Sequence, residues 1–218
     1  MNFACQAILF DLDGTLIDSI AAVDRAWSKW ALRHGLEPSE VVPHIHGRRA
    51  FDSLRLLAPH PDVDFEAEER WLEGVEAGDT EGIVPIPGAL EFVSSVPKER
   101  WSIVTSGASP VAIARMNAVG LSPLHAVFGE EVVNGKPAPD PYLLAAERMG
   151  LNTRDCIVFE DTAAGVRSGQ AAGMRVIAIS GREKRQDLMN ADAVVQDYRS
   201  VYLKTTADGL QVQLVFEK

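Results

Sequence analysis

Two carboxylates stand two positions apart in the stretch AILFDLDGTLIDS, which covers residues 7–19. Asp11 and Asp13 follow a short apolar run, residues 7–10, of the kind that is typical of a fully buried strand in a parallel sheet. Ligands of such sheets bind beyond the carboxyl ends of the strands, and residues two apart near a strand end point the same way. The spacing therefore predicts that both carboxylates face one pocket.

Close carboxylates repel each other, so Asp11 and Asp13 together need a shared proton or a cation. A divalent ion such as Mg²⁺ would fit, because it prefers hard oxygen ligands. Gly14 lets the chain turn sharply after the two acids. An acidic surface turn is the alternative interpretation, since Asp-Gly is a common turn dipeptide.

Two later stretches suit an anionic substrate. Thr105-Ser106-Gly107 follow a second predicted strand, where hydroxyl and N–H groups fit a phosphate, although Ser and Gly are also ordinary turn residues. Lys136 lies in a run of Gly and Pro at 134–141, which would hold its ammonium in place. A positioned ammonium can neutralise a carboxylate or a phosphoryl oxygen, and a solvated loop lysine is the alternative.

Glu160 and Asp161 end a further predicted strand immediately before a helix. They add capacity to bind a metal ion, unless Asp161 merely caps the helix. Each of these stretches lies at the carboxyl end of a predicted strand or in the loop that follows. The sequence therefore predicts that all of them converge on one pocket.

The elements that must position these residues alternate between strand and helix. Strands are predicted at 7–10, 101–105, 126–128, 156–159, 174–179 and 193–195, with helices between them from residue 89 onward. This order predicts an α/β fold with a three-layer Rossmann-like parallel sheet, covered by helices on both faces. Gly165, Gly169 and Gly173 are spaced four apart, which predicts close packing of their helix on the sheet.

No strand is predicted between residue 16 and about residue 82, where the apolar spacing indicates helices. We therefore predict a discontinuous core, residues 1–16 and 83–218, and a small all-helical cap domain inserted at 17–82. Alternating residues near 201–217 predict a C-terminal β-hairpin, which would extend a sheet edge or make a subunit contact.

Composition limits the classes of partner. The 218 residues carry 31 acidic and 21 basic side chains, a formal net charge of −10. This charge argues against binding nucleic acid or an anionic membrane. No stretch has the length of a transmembrane helix, and the N-terminus does not read as a signal peptide. The two cysteines are predicted to be reduced core thiols, with a disulfide as the unsupported alternative, so we expect a cytoplasmic protein. We expect a monomer or a small homo-oligomer.

The order of the motifs resembles the haloacid dehalogenase superfamily, whose motifs run DxDGT, Ser or Thr, Lys, and paired acids. The resemblance covers about residues 5–181, and the helical insertion resembles the small α-helical cap of that superfamily. Segments such as RHGLEPSEV, VPIPGAL and GKPAPDPYLL are similar to bacterial sugar phosphatases of the hexitol phosphatase type. They are also similar to yeast glycerol-3-phosphate and 2-deoxyglucose-6-phosphate phosphatases. The dehalogenating enzymes lack the second acid, so the presence of Asp13 implies phosphoryl transfer.

The resemblance implies a Mg²⁺-dependent phosphomonoesterase acting on small sugar or polyol phosphates. Asp11 would attack phosphorus, and Asp13 would serve as general acid and then as general base. Mg²⁺ would be held by Asp11, the Asp13 carbonyl and Asp161, with Glu160 acting indirectly through water or another ligand. Lys136 would hold phosphoryl oxygens together with the turn that begins at Thr105.

A basic loop of the predicted cap, which contains His46, Arg48 and Arg49, could reach sugar hydroxyls or the phosphate. A solvated loop is the alternative, and Arg49 could instead pair with Asp52 at i, i+3.

Two other functions remain open at this stage. A hexose-phosphate mutase of the same superfamily would use the same Asp11 and Asp13 but return the phosphoryl group to a sugar. A non-catalytic protein that binds phosphorylated metabolites would keep the fold without turnover, and the complete set of motif residues argues against it.

Overall fold

The computed structural model of the chain describes residues 1–46, 49–57, 62–181 and 185–215. In chain order the strands are β1 (Asn2–Cys5), β2 (Ala7–Phe10), β3 (Ile17–Asp18), β4 (Val84–Pro85), β5 (Trp101–Val104), β6 (His125–Val127), β7 (Cys156–Glu160), β8 (Arg175–Ile179), β9 (Ala193–Val195), β10 (Val201–Thr206) and β11 (Gly209–Leu214). The α-helices are α1 (Ile20–Arg33), α2 (Pro38–Val41), α3 (Ala50–Leu57), α4 (Phe65–Gly78), α5 (Ala89–Ser95), α6 (Ser109–Ala118), α7 (Asp140–Arg148) and α8 (Ala163–Ala171).

The central sheet has six strands in the order β6-β5-β2-β7-β8-β9, and every neighbouring pair is parallel. Strand β2 is buried on both faces. Ile8 and Phe10 pack in a cluster with α5 and α6, whereas Ala7 and Leu9 pack in a second cluster with α7 and α8. The unbroken apolar run is thus explained by helices on both faces, and the predicted three-layer α/β core is confirmed.

The predicted C-terminal hairpin is confirmed as β10 and β11, and its last predicted residues, 216 and 217, lie outside the described part of the chain. It pairs with β1 in a three-stranded antiparallel sheet of order β1-β11-β10. Strand β1 was not predicted from the sequence. It has only four residues, and its partner lies about two hundred residues further along the chain, so no local pattern reveals the pairing.

The segment between the core strands is helical, from α1 to α4. It has its own apolar cluster, which includes Trp27, Trp30, Leu54 and Leu72. The prediction of no strand after residue 16 is wrong at β3, which pairs antiparallel with β4. The two connections between the helical segment and the sheet therefore run side by side. Among the described residues, no helix is both long and apolar enough to cross a bilayer.

Cys5 and Cys156 are free thiols in buried positions, as predicted. Burial raises the pKa of Cys5 to about 12. Burial also raises the pKa of Cys156 to about 11. Both side chains therefore stay protonated at neutral pH and behave as small core residues.

Candidate active site

The predicted site residues converge at the carboxyl edge of the central sheet. Strand β2 lies between β5 and β7, and these three strands lead into Asp11, Thr105 and Asp161. One cleft is lined by eight of the predicted site residues: Asp11, Asp13, His46, Thr105, Ser106, Gly107, Lys136 and Asp161. The helical segment forms its other wall with Trp27, Ile45, His46, Glu73 and Glu76.

The side chain of Lys136 is buried in this site, with 3% of its surface exposed, so Lys136 is not a solvated loop lysine. Its Nζ lies 2.7 Å from Asp11 Oδ1 and 2.6 Å from Glu160 Oε1. Nζ also donates to the Val104 carbonyl at 2.9 Å. Burial alone would lower the pKa of Lys136, but Asp11 and Glu160 raise it above its usual value. The ammonium is therefore charged and fixed beside Asp11.

Glu160 holds the Lys136 ammonium through a hydrogen bond and is itself held by several others. Its Oε1 accepts hydrogen bonds from Lys136 and from the Tyr142 hydroxyl, the latter at 2.9 Å. Its Oε2 accepts from the backbone N–H of Asp161 at 3.0 Å and of Thr162 at 3.3 Å, and from the Thr162 hydroxyl at 3.2 Å. With both oxygens engaged, Glu160 positions Lys136, and its indirect role in metal binding stays a prediction.

Three buried carboxylates could hold a metal ion. Asp11, Glu160 and Asp161 each offer an oxygen, and these oxygens lie within 4.8 Å of one another. Burial raises the pKa of Asp11 to about 7; the Lys136 charge opposes this rise and Glu160 adds to it. Lys136 contacts two of the three acids, Asp11 and Glu160. Carboxylates are hard oxygen ligands, and three of them close together fit a divalent cation such as Mg²⁺.

Gly14 is needed where the chain turns beside these acids. Its φ is +91°, and a Cβ at this position would lie 1.9 Å from Asp161 Oδ2. The turn predicted at Asp13-Gly14 is present. The absence of a side chain at Gly14 allows the Asp161 carboxylate to lie close to the end of β2. The alternative that Asp161 caps the next helix is wrong, because Thr162 is the N-cap of α8 and its side chain accepts from Gly165 N.

The three spaced glycines of this region have three different functions. Gly169 packs on Val158 and Val176, as the predicted helix–sheet contact requires. At Gly165, by contrast, a Cβ would lie 1.8 Å from Glu160 Cδ, so this glycine makes room for the carboxylate. Gly173 has a φ of +79° and lies just beyond the end of α8. The packing prediction is therefore correct for Gly165 and Gly169, which both contact side chains of the sheet, and wrong for Gly173, which lies outside the helix.

Asp13 belongs to a network that the sequence did not reveal. Its Oδ1 accepts from the Ser19 hydroxyl at 2.5 Å and lies 2.9 Å from Arg115 Nη1. The second Arg115 terminal nitrogen, Nη2, lies 3.4 Å from Glu76 Oε2 on α4. One signal was available: Arg115 is the one charged residue among the buried positions of α6. An isolated charge on a buried helix face indicates a buried partner.

The three predicted cap residues are in different situations. His46 lines the cleft and lies 3.0 Å from Asp24 Oδ1. Arg48 lies outside the described residues. Arg49 instead borders a neighbouring shallower pocket, and its Nε lies 2.8 Å from Asp52 Oδ2. The alternative pairing of Arg49 with Asp52 is thus present, and a role of Arg49 in substrate binding stays a prediction.

Comparison with known proteins gives consistent matches. The family model for haloacid dehalogenase-like hydrolases matches residues 5–173. The chain is 46% identical over 209 residues to hexitol phosphatase A of Escherichia coli K12, covering 94% of this chain and 97% of that protein. It is 30% identical over 235 residues to glycerol-1-phosphate phosphohydrolase 1 of Saccharomyces cerevisiae, covering 100% and 92%.

A solved structure supports the fold independently. CbbY from Rhodobacter sphaeroides, in complex with xylulose-(1,5)bisphosphate, superposes with a TM-score of 0.77 at 21% identity. The match covers 89% of this chain and 95% of that protein. At this level of identity the likeness concerns the fold, including the sheet that carries the site.

Proposed function

The chain belongs to the haloacid dehalogenase-like hydrolases and is a phosphatase of that family, and we propose that it hydrolyses small sugar or polyol phosphate monoesters in a Mg²⁺-dependent reaction. The observation that carries this proposal is the position of Lys136, 2.7 Å from Asp11 and 2.6 Å from Glu160. Asp161 lies in the same group of carboxylates. The similarity to hexitol phosphatase A over nearly the whole chain supports the substrate class.

Asp11 is the nucleophile in this mechanism. A carboxylate oxygen of Asp11 attacks phosphorus, the bond from phosphorus to the leaving oxygen breaks, and an aspartyl phosphate forms. Asp13 donates its proton to the departing alkoxide, which leaves as an alcohol. Asp13 is suited to this step because its side chain lines the same cleft as Asp11.

Water completes the cycle. Asp13, now deprotonated, takes a proton from the attacking water molecule. The oxygen of that water bonds to phosphorus, the acyl–phosphate bond breaks, and inorganic phosphate and the free Asp11 carboxylate result. A mutase would replace the water by a sugar hydroxyl, so release of inorganic phosphate distinguishes the two reactions.

We assign stabilisation of the negative charge on the transferred phosphoryl group to the residues around its oxygens. Lys136 supplies a fixed positive charge, and Thr105 and Ser106 supply hydroxyl donors. The backbone N–H groups of Thr105 and Gly107 already donate to the Val127 carbonyl and to Thr105 Oγ1. Asp11, Asp161 and the Asp13 carbonyl would hold Mg²⁺, with Glu160 acting indirectly. When bound, the ion would neutralise charge on the phosphoryl group and on the carboxylates that surround it.

The helical segment is assigned as a cap domain, residues 17–82, over the discontinuous core. Trp27, His46 and Glu73 come from this segment and line the cleft opposite the catalytic acids. An aromatic ring with polar groups beside it suits a polyhydroxylated substrate, because the hydroxyl groups find hydrogen-bond partners. The cap would also exclude water before the first chemical step.

A substrate panel tests the proposal. Phosphate release is measured from hexose 6-phosphates, hexitol phosphates, glycerol phosphates, phosphoglycolate and nucleotides, with Mg²⁺ and with EDTA. We expect release from sugar or polyol phosphates that is lost with EDTA and in Asp11→Asn. The matched control is Asp208→Asn, an exposed acid in the hairpin turn, which should keep full activity. No release from any member of the panel would refute the proposed function.

A further inference from the structure

We propose that Arg115 is a positioning residue for Asp13, and that Glu76 on helix α4 fixes Arg115 in turn. Arg115 would thereby couple the orientation of Asp13, the general acid, to the position of the cap relative to the core. The inference rests on the proposed phosphatase reaction. It adds to that reaction a charged residue outside the sequence motifs.

The geometry places one buried cation between two acids from different parts of the chain. Arg115 is 4% exposed. Its Nη1 lies 2.9 Å from Asp13 Oδ1, and its Nη2 lies 3.4 Å from Glu76 Oε2. A guanidinium has a planar fork of donors, so it can address two carboxylates at once, which a lysine ammonium does less well.

The two carboxylates belong to opposite walls of the cleft. Asp13 follows β2 of the core sheet, whereas Glu76 lies near the end of α4 in the helical segment. Helix α6, which carries Arg115, packs directly against α4. A shift of α4 relative to the sheet would therefore move the partner of Arg115, and the contact of Arg115 with Asp13 would change with it.

The contacts of Asp13 fit a carboxylate held in one orientation. The Ser19 hydroxyl donates to Asp13 Oδ1, and Arg115 Nη1 contacts the same oxygen. Ser19 stands at the start of α1, directly after β3, where the chain enters the helical segment. Since Oδ1 is engaged on two sides, Oδ2 is left to exchange a proton with the leaving group.

The electrostatics agree with a charged Arg115. Burial disfavours the guanidinium charge, but Asp13 and Glu76 raise the pKa of Arg115 above its usual value. A buried ion pair adds little to stability compared with apolar residues of similar size, because desolvation offsets the attraction. A buried arginine between two acids at the cleft is therefore better explained by what it does to Asp13 than by folding stability.

The test compares two leaving groups. An alkoxide from a polyol phosphate needs a proton as it departs, whereas p-nitrophenolate from p-nitrophenyl phosphate does not. kcat/KM reports the steps up to departure of the leaving group, so a displaced Asp13 affects the first substrate and spares the second. For Arg115→Met we expect kcat/KM for the polyol phosphate to fall about 10²-fold, the usual cost of a misplaced catalytic group. For p-nitrophenyl phosphate we expect a fall of less than about tenfold, since it needs no general acid.

Conservative variants refine the test and cover a folding failure. Arg115→Lys keeps the charge but loses the fork, so its loss on the polyol phosphate should lie between wild type and Arg115→Met. Glu76→Gln can still accept from Arg115, and a smaller loss with the same leaving-group selectivity is expected. If Arg115→Met does not fold, these two variants decide the question alone. Arg167→Met, an exposed arginine of α8, is the matched control and should leave both substrates unaffected.

Three outcomes would overturn the inference. Equal losses on both substrates, together with a lower melting temperature, would make Arg115 a structural residue only. A rise in KM for both substrates at unchanged kcat would make it a phosphate-binding residue. Wild-type kinetics in Arg115→Met would remove it from the mechanism. Absence of phosphate release in the wild-type protein would instead refute the proposed function, so the two failures are distinguishable.

Discussion

Replacement of Gly165 by alanine tests how closely helix α8 packs against the Glu160 carboxylate. A Cβ at this position would lie 1.8 Å from Glu160 Cδ, 1.9 Å from Oε1 and 2.1 Å from Oε2. These separations are far inside van der Waals contact, so the Glu160 carboxylate must move. Glu160 is itself the anchor of Lys136, so the displacement reaches the catalytic centre.

The magnitude follows from opposing contributions. Alanine favours a helix interior over glycine by about 1 kcal/mol, which on its own would stabilise the protein. A displaced Glu160 would break hydrogen bonds to Lys136, Tyr142 and the start of α8. Hydrogen bonds to charged groups contribute about 1.5–3 kcal/mol each, so the loss of two costs about 3–6 kcal/mol. The net expectation is a destabilisation of about 2–5 kcal/mol.

The assay is a pair of thermal unfolding curves with a second glycine as control. Gly74 lies in α4, and a Cβ there would meet nothing within 4 Å. Gly74→Ala should therefore raise the melting temperature by a few degrees, at about 2–4 °C for each kcal/mol in a chain of this size. Gly165→Ala should lower it by about 4–20 °C on the same scale, with a loss of phosphatase activity.

Comparison of Gly165→Ala with Gly74→Ala can refute the position of the Glu160 carboxylate beside Gly165. If Gly165→Ala were as stable and active as Gly74→Ala, the Glu160 carboxylate would not occupy the space beside Gly165. Glu160 would then not be the residue that positions Lys136. A variant that is stable but inactive would keep the positioning argument and show that Glu160 moves at little energetic cost.

Two further predictions concern the rest of the molecule. Burial holds the pKa of Cys5 at about 12 and of Cys156 at about 11, so a thiol reagent at pH 8.5 should label neither until denaturant is added. Rapid labelling of the native protein would contradict their burial. Trp30→Phe removes the buried hydrogen bond of 2.9 Å to Glu68 together with part of a fully buried ring, and should cost at least about 1–3 kcal/mol in a denaturant titration. An unchanged midpoint would show that this bond contributes nothing.

The parallel core could be predicted from the sequence because its signals are local. Each buried strand is a short apolar run, and helical spacing appears between the runs. The site residues follow the strands directly, so knowing where a strand ends places Asp11, Thr105 and Asp161 at one edge of the sheet. Strands β1 and β3 could not be predicted, because they are short and the strands that pair with them are distant in sequence.

The interactions between side chains could not be predicted in the same way. Arg115 and Glu76 have ordinary helical positions, and only the packing of α4 on α6 brings them together. The spacing of Gly165 from Gly169 correctly predicts that Gly165 contacts the sheet, but it does not show that the neighbouring group is the Glu160 carboxylate. Spacing shows which residues share a face, but it does not show what lies opposite that face.

Trapping of the covalent intermediate tests directly whether Asp11 is the nucleophile. The wild-type protein is mixed with Mg²⁺ and a polyol phosphate that is radiolabelled in its phosphoryl group, and the reaction is quenched in acid within one turnover. The quenched protein is then reduced with borohydride before peptide mapping. Borohydride converts an aspartyl phosphate to homoserine. We expect acid-stable label on the protein before reduction and homoserine at position 11 after it, with neither in Asp11→Asn. A protein that releases phosphate without any label or homoserine would contradict Asp11 as nucleophile.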